Sequence, residues 1–102
     1  MQMRKINELG EIRKEGLALT YIGTDWCQYC AKTTKAIGAV LPTLEEIEVS
    51  KIDGDDEPDI LQAVGAKTYP QLLLHRDGVL VAQRESADAD TLKAWLVENG
   101  AA

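Results

Sequence analysis

The sequence predicts an α/β domain with a central mixed sheet of about five strands flanked by about four helices. Three observations predict it. Short apolar, β-branched runs alternate with segments of helical period through the first part of the chain. Two later runs flank Arg76-Asp77-Gly78, and Asp-Gly readily takes the positive φ a hairpin turn needs. A last helix-period segment follows them. Early strands separated by helices imply parallel pairing, and the hairpin adds an antiparallel edge.

Taken in order, Met3 to Ile6 reads as a short strand. A helix is expected from about Glu8 to Glu15, with Asn7 as its cap and Gly16 just past its end. Leu17 to Ile22 is apolar and β-branched enough for a buried strand. Gly23-Thr24-Asp25-Trp26-Cys27 leads into a helical segment reaching Leu41. There Ile37, Val40, Leu41 and Leu44 recur at helical spacing until Pro42 kinks or ends it. Glu46 to Ile52 is the next strand. Gly54-Asp55-Asp56 opens a short helix with Pro58 in its first turn, apolar Ile60, Leu61 and Val64, and Gly65 as terminator. Gln71 to His75 and Val79 to Gln83 form the hairpin. The final helix starts near Asp88 or Asp90, buries Leu92, Trp95 and Leu96, and stops at Gly100.

A chain of 102 residues without repeats or linkers is expected to form one domain over 1–102. Hydrophobic residues at 45% and charged ones at 27% argue against disorder. The net charge is −6, without a basic stripe, so neither nucleic acid nor a membrane surface is an expected partner. No apolar run approaches the roughly 20 residues of a membrane span. The opening MQMRKINELGEIRKEG lacks the apolar stretch and cleavage site of a signal peptide, so a cytoplasmic location is expected.

The two cysteines, Cys27 and Cys30, carry the chemistry. A disulfide between them closes a loop too small to stabilise a fold much, so reactivity is the better reason for their placement. A strand running through a loop into a helix puts Cys27 at the helix's first turn. Free N–H groups and the positive end of the helix dipole there favour a thiolate. Such placement brings a thiol from a pKa of about 8.5 to near 7. Cys30, three residues on, shares that helical face within reach of the first sulfur. Half of a metal site and two inert core thiols are the competing readings of a lone C-x-x-C. Zinc needs about four ligands, and here only His75, on an expected strand, could join the pair, so no metal is expected.

The segment Trp26-Cys27-Gln28-Tyr29-Cys30, between a buried strand and a helix, resembles the active-site motif of thioredoxins. Thr68-Tyr69-Pro70, forty positions beyond Cys30 (70 − 30) and just before the hairpin, is similar to that family's cis-proline segment. Lys51 and Asp53 fall where the family often has a lysine and a polar residue. The resemblance covers essentially the whole chain and implies the thioredoxin fold. It also implies a thiol–disulfide oxidoreductase that needs no bound cofactor. Cys27 is then the nucleophile and Cys30 the resolving thiol, while Trp26, Thr68, Tyr69 and Pro70 bind substrate. Pro70 follows a cis bond and leaves the Tyr69 backbone free to pair with a peptide as an added strand. The implied partners are disulfide-containing proteins and an electron donor, either a thioredoxin reductase or glutathione with a glutaredoxin-type system. A monomer is expected.

Four positions depart from that pattern. Tyr21 stands where the family has a buried aspartate six positions before the first cysteine (27 − 21), and a tyrosine is a poor base at neutral pH. Lys51 or water is then expected to assist resolution. Gln28-Tyr29 replaces the usual Gly-Pro, and its tyrosine is similar to the Cys-Pro-Tyr-Cys of glutaredoxins. The Gly-Gly-rich glutathione segment of that family is absent. We group Tyr21, Gln28, Tyr29 and Lys51 as redox-tuning residues. Ser86 replaces a glycine bordering the substrate groove.

Other residues read more plainly. Trp95 is core, His75 is a strand residue without a catalytic role, and the acidic run Asp53 to Asp59 lacks EF-hand spacing, so loop solubility and helix capping explain it. Two further functions compete with disulfide reduction. One is net oxidation or isomerisation, since roughly 30 mV is already a tenfold change in the redox balance. The other is a non-catalytic binding module, either a structural subunit of a larger enzyme or a cluster-bridging dimer.

Overall fold

A computed structural model describes residues 3–102. It contains strands β1 (Arg4–Lys5), β2 (Leu17–Gly23), β3 (Ile47–Asp53), β4 (Gln71–Arg76) and β5 (Val79–Arg84). Its helices are α1 (Cys30–Val40), α2 (Ile60–Ala63) and α3 (Ala89–Glu98). The strands form one sheet in the order β1-β3-β2-β4-β5. β1 and β2 both run parallel to β3, β4 is antiparallel to β2, and β5 is antiparallel to β4. This is the mixed five-stranded α/β architecture the sequence predicts.

β2 is buried almost throughout because helices cover both faces of the sheet. Side chains alternate across a strand, so Leu19 and Tyr21 join one core and Ala18 and Ile22 the other. The first core lies against α1 and α3 and includes Cys30, Ile37, Leu72, Leu92 and Leu96. The second holds Ile6, Ile12, Ile52 and Ile60. Tyr21 therefore shares a core with Cys30 and lies six residues before Cys27 in sequence (27 − 21).

Among the described residues three α-helices appear, where about four are expected. The helix expected over Glu8 to Glu15 is a single 3-10 turn, Leu9–Glu11. The Glu11 carboxylate folds back at once to accept from the Asn7 and Glu8 N–H groups at 2.7 and 3.0 Å. The capping position is thus Glu8 and not Asn7. Gly10 weakens any longer helix, and Ile12 must leave in extended conformation to reach the second core. α2 is also one turn. Pro58 lies ahead of it, and Asp59 occupies its N-cap without a side-chain capping bond.

The remaining boundaries follow their local chemistry. α1 ends at Val40, and Pro42 sits in a 3-10 turn over Leu41–Thr43. Asp88 caps α3, its Oδ1 accepting from the Thr91 N–H at 2.8 Å. Gly100 ends that helix with φ +72°, while the Ala101 N–H donates to the Leu96 carbonyl at 2.8 Å. Asp77 and Gly78, at φ 52° and 82°, make the hairpin turn.

Candidate active site

Both cysteines lie where β2 runs out toward α1. α1 begins at Cys30, one turn later than the sequence places it, so Cys27 precedes the helix and does not occupy its first turn. The reason is visible in the ladder. The Cys30 N–H only weakly engages the Cys27 carbonyl, at 3.4 Å, and the first i−4 bond runs from Thr33 to Tyr29. No acidic residue lies in the first turn of α1, and Lys32 adds a positive charge there, so no carboxylate of that turn neutralises the helix's positive end beside the sulfur pair. The sulfurs are joined as a disulfide, with Cα atoms 5.3 Å apart. Cys27 is half-buried, whereas Cys30 is only 4% exposed.

The pair separates two concavities. In front is a groove of roughly 650 Å³ lined by Trp26, Cys27, Gln28 and Tyr29 on one side. Thr68, Tyr69, Pro70 and Ser86 face them, joined by Leu61, Lys67 and Glu85. Behind is a smaller cavity of about 230 Å³ lined by Tyr21, Thr24, Asp25 and Lys51 together with both cysteines. All ten residues singled out in the sequence fall in one or the other, and Cys27 lies in both.

The groove walls are tied together. The Trp26 indole Nε1–H donates to Asp55 Oδ1 at 2.8 Å, and its ring meets Tyr69 edge-on with centroids 5.8 Å apart. The Tyr69–Pro70 bond is cis, and Pro70 is buried. Among the described residues the Tyr69 main chain makes no backbone hydrogen bond. Gln71 Nε2 donates to the Thr68 carbonyl at 2.9 Å, and Gln83 links Gln71 to the Val64 carbonyl, bracing this loop against β5.

Two glycines seat the tyrosines. The Gly54 N–H donates to the Gly23 carbonyl at 2.8 Å. A methyl on Gly23 would collide with the Tyr21 ring and lie 3.0 Å from Cys30 Sγ; one on Gly54 would collide with the Tyr69 ring. Gly54→Ala should therefore cost about 1–3 kcal/mol through overpacking. In a Tyr69→Ala background the same change should cost much less, as a double-mutant cycle in urea would measure. Equal costs in both backgrounds would rule out that seat.

Burial pushes the Tyr21 phenol up to about 12, with the charges of Asp25 and then Asp53 adding to it. Tyr69 is also raised, by burial and then by Asp55 and Asp53. Tyr21 thus stays neutral through the pH range of thiol chemistry and accepts no proton there. No hydrogen bond joins it to Lys51 among the described residues, although the two are paired across β2 and β3. Its effect on stability has a definite sign. A phenol raised from 10.0 to about 12 contributes in full below pH 10, and that contribution is lost as pH rises through 12. The loss should approach roughly 2–3 kcal/mol. Tyr21→Phe should flatten it, read as urea midpoints at pH 9 and 11. Equal falls in both proteins would place the alkaline loss elsewhere.

Sequence reasoning missed several residues here. Asp55, read as loop solubility, anchors Trp26. Lys67 and Glu85 enter the groove beside Thr68 and Ser86, while Leu61 reaches it from α2 with no local signal. His75 lies at the far end of β4, opposite Ala18, away from the cysteines. Burial and then Lys14 lower its imidazole pKa.

A family model described as Thioredoxin matches residues 7–98. The chain is 30% identical to a protein disulfide-isomerase of Gallus gallus over 78 residues, which is 70% of this chain and 15% of that protein. It is 33% identical to a thioredoxin of Listeria monocytogenes over 75 residues, 66% of each. Its fold superposes on oxidized mitochondrial thioredoxin 3 of Saccharomyces cerevisiae with a TM-score of 0.81 and 20% identity, covering 94% of both chains. For the thioredoxin of Malassezia sympodialis the TM-score is 0.80 at 18% identity, covering 99% of this chain and 92% of that one.

Proposed function

This chain belongs to the thioredoxin family, and from that membership we propose that it is a thiol–disulfide oxidoreductase that reduces protein disulfides. The observation that carries the reading is the graded exposure of the pair, with Cys27 open to the groove and Cys30 behind it.

In the reduced protein the Cys27 thiolate attacks one sulfur of a substrate disulfide. The other substrate sulfur leaves as a thiolate, and a mixed disulfide forms. Cys30 then attacks Cys27 Sγ, which releases the second substrate thiol and restores the disulfide. A substrate strand pairs with the Tyr69 main chain, while Trp26 and Tyr29 supply apolar area around the reacting sulfur. Trp26 and Tyr29 are 69% and 52% exposed, and Asp55 and Tyr69 hold Trp26 in place, so little ordering is needed on binding.

A thioredoxin reductase or a glutathione-dependent system would return the electrons, in the cytoplasm and with the chain acting as a monomer. Two cysteines and no other pair to staple suit such a reducing compartment. The test is reduction of a protein disulfide by the full chain, with each donor system supplied in turn, alongside the reduction potential of the pair. A potential near that of oxidising relatives, with no reduction under either donor, would reverse the proposed direction.

A further inference from the structure

The rear cavity holds a carboxylate that the sequence comparison with the family does not single out. We propose that Asp25 receives, through a water seated against the Thr24 hydroxyl, the proton that Cys30 gives up during resolution. This rests on the thiol–disulfide reading above and names the positioning residue for its second step.

Four observations carry it. Asp25, Thr24, Cys27 and Cys30 line one cavity of about 230 Å³, ample for water. Thr24 is only 5% exposed, yet its Oγ1 has no hydrogen-bond partner among the described residues. A buried hydroxyl in a polar cavity calls for one. Of the other hydroxyls there, Thr34 donates to main-chain carbonyls of its own helix, while Tyr21 lies with Cys30 Sγ around the position of a Gly23 Cβ and can donate to that water but stays protonated. Asp25 lies on the exposed turn, so a proton it accepts passes on to bulk solvent. The charged and titratable groups lining the cavity with it are Tyr21 from β2, Lys51 from β3 and the two cysteines, and the Asp53 charge acts on Tyr21 from β3. A lysine ammonium has no acceptor, so Lys51 cannot take the proton in its place.

The step balances. The Cys30 thiol passes its proton through the water to the Asp25 carboxylate. The resulting thiolate forms a bond to Cys27 Sγ as the bond from Cys27 to substrate breaks, and the electron pair leaves on the substrate sulfur. Asp25 then returns its proton to solvent, and the departing thiolate takes one up. Two protein thiols are oxidised while the substrate disulfide is reduced to two thiols.

The experiment mixes the fully reduced chain with an aromatic chromophoric disulfide in stopped flow. The first phase reports attack by Cys27 and the second resolution by Cys30. In Asp25→Asn the second phase should slow by about tenfold or more near pH 7, and the deficit should narrow as pH rises and hydroxide takes over removal of the thiol proton. Asp25→Glu should restore most of the rate. Thr24→Val should slow the same phase with the same pH dependence. Superimposable second-phase profiles for the unmodified chain and Asp25→Asn overturn the proposal, as does an equal slowing of both phases. Absence of either phase in the unmodified chain overturns the thiol–disulfide reading itself.

Discussion

Cys30→Ser should convert the protein into a trap that accumulates substrates as mixed disulfides on Cys27. Cys27→Ser should neither trap nor reduce them. Turnover in either variant should fall by more than about a thousandfold, because each removes a bond-forming sulfur. The asymmetry comes from geometry. Cys27 borders the front groove and the rear cavity, whereas Cys30 is 4% exposed and borders only the rear one. A macromolecular disulfide can reach the first sulfur but not the second. Non-reducing electrophoresis after incubation with a disulfide-rich protein reads the trap directly. Alkylation of the reduced chain at neutral pH supplies the independent check. Preferential labelling of Cys30 would invert the assigned roles.

β2 and β4 were legible because each is a short, largely apolar run whose length suits a sheet covered on both faces. Leu17 to Gly23 carries both cores by simple alternation. The hairpin turn was equally clear, since Asp77-Gly78 needs positive φ at both residues. The helix expected near Glu8 misled because helical composition there competes with a non-local demand. Ile6 and Ile12 are both buried in the second core, and one tight turn satisfies that where the expected helix of about two turns would not. Cys27 was displaced by one turn for a related reason. Helix starts are read from capping residues, and Tyr29 at the N-cap of α1 makes no side-chain capping bond.

The site was legible where it is contiguous in sequence and obscure where the fold assembles it. Trp26 through Cys30 form one segment, and Thr68 through Pro70 another. Leu61 reaches the same groove from α2, and nothing in its flanking residues marks it. Gly23 and Gly54 illustrate the same limit. Each looks like an ordinary strand-end glycine, yet a tyrosine ring lies over its Cα, that of Tyr21 from the same strand over Gly23 and that of Tyr69 from a different loop over Gly54. The Trp26–Asp55 bond joins residues twenty-nine apart (55 − 26), so it too depends on tertiary placement.

Tyr21→Asp should lower stability sharply and speed resolution near neutral pH. Tyr21 is 2% exposed in the core shared with Leu19, Cys30 and Leu72. Replacing its ring leaves a cavity and introduces a carboxylate with little solvent, a combined cost of about 3–5 kcal/mol. For a domain of this size that is a fall of more than about 10 °C in Tm. Burial should raise the new carboxyl's pKa above its unfolded value. The deficit should then be smallest in acid, where the group is neutral in both states, and widen as pH rises through the folded value. Kinetically the gain comes from moving an acceptor against the sulfur. Tyr21 holds its proton up to about 12 and offers Cys30 no base, whereas a carboxylate at that point would accept the thiol proton directly. The second phase of the chromophoric assay should quicken by about tenfold at pH 7 and flatten with pH. Thermal melts at pH 4 and pH 8 measure the structural half of the prediction on the same samples. Unchanged second-phase profiles beside the expected loss of stability would mean that proton removal from Cys30 does not limit release in this protein.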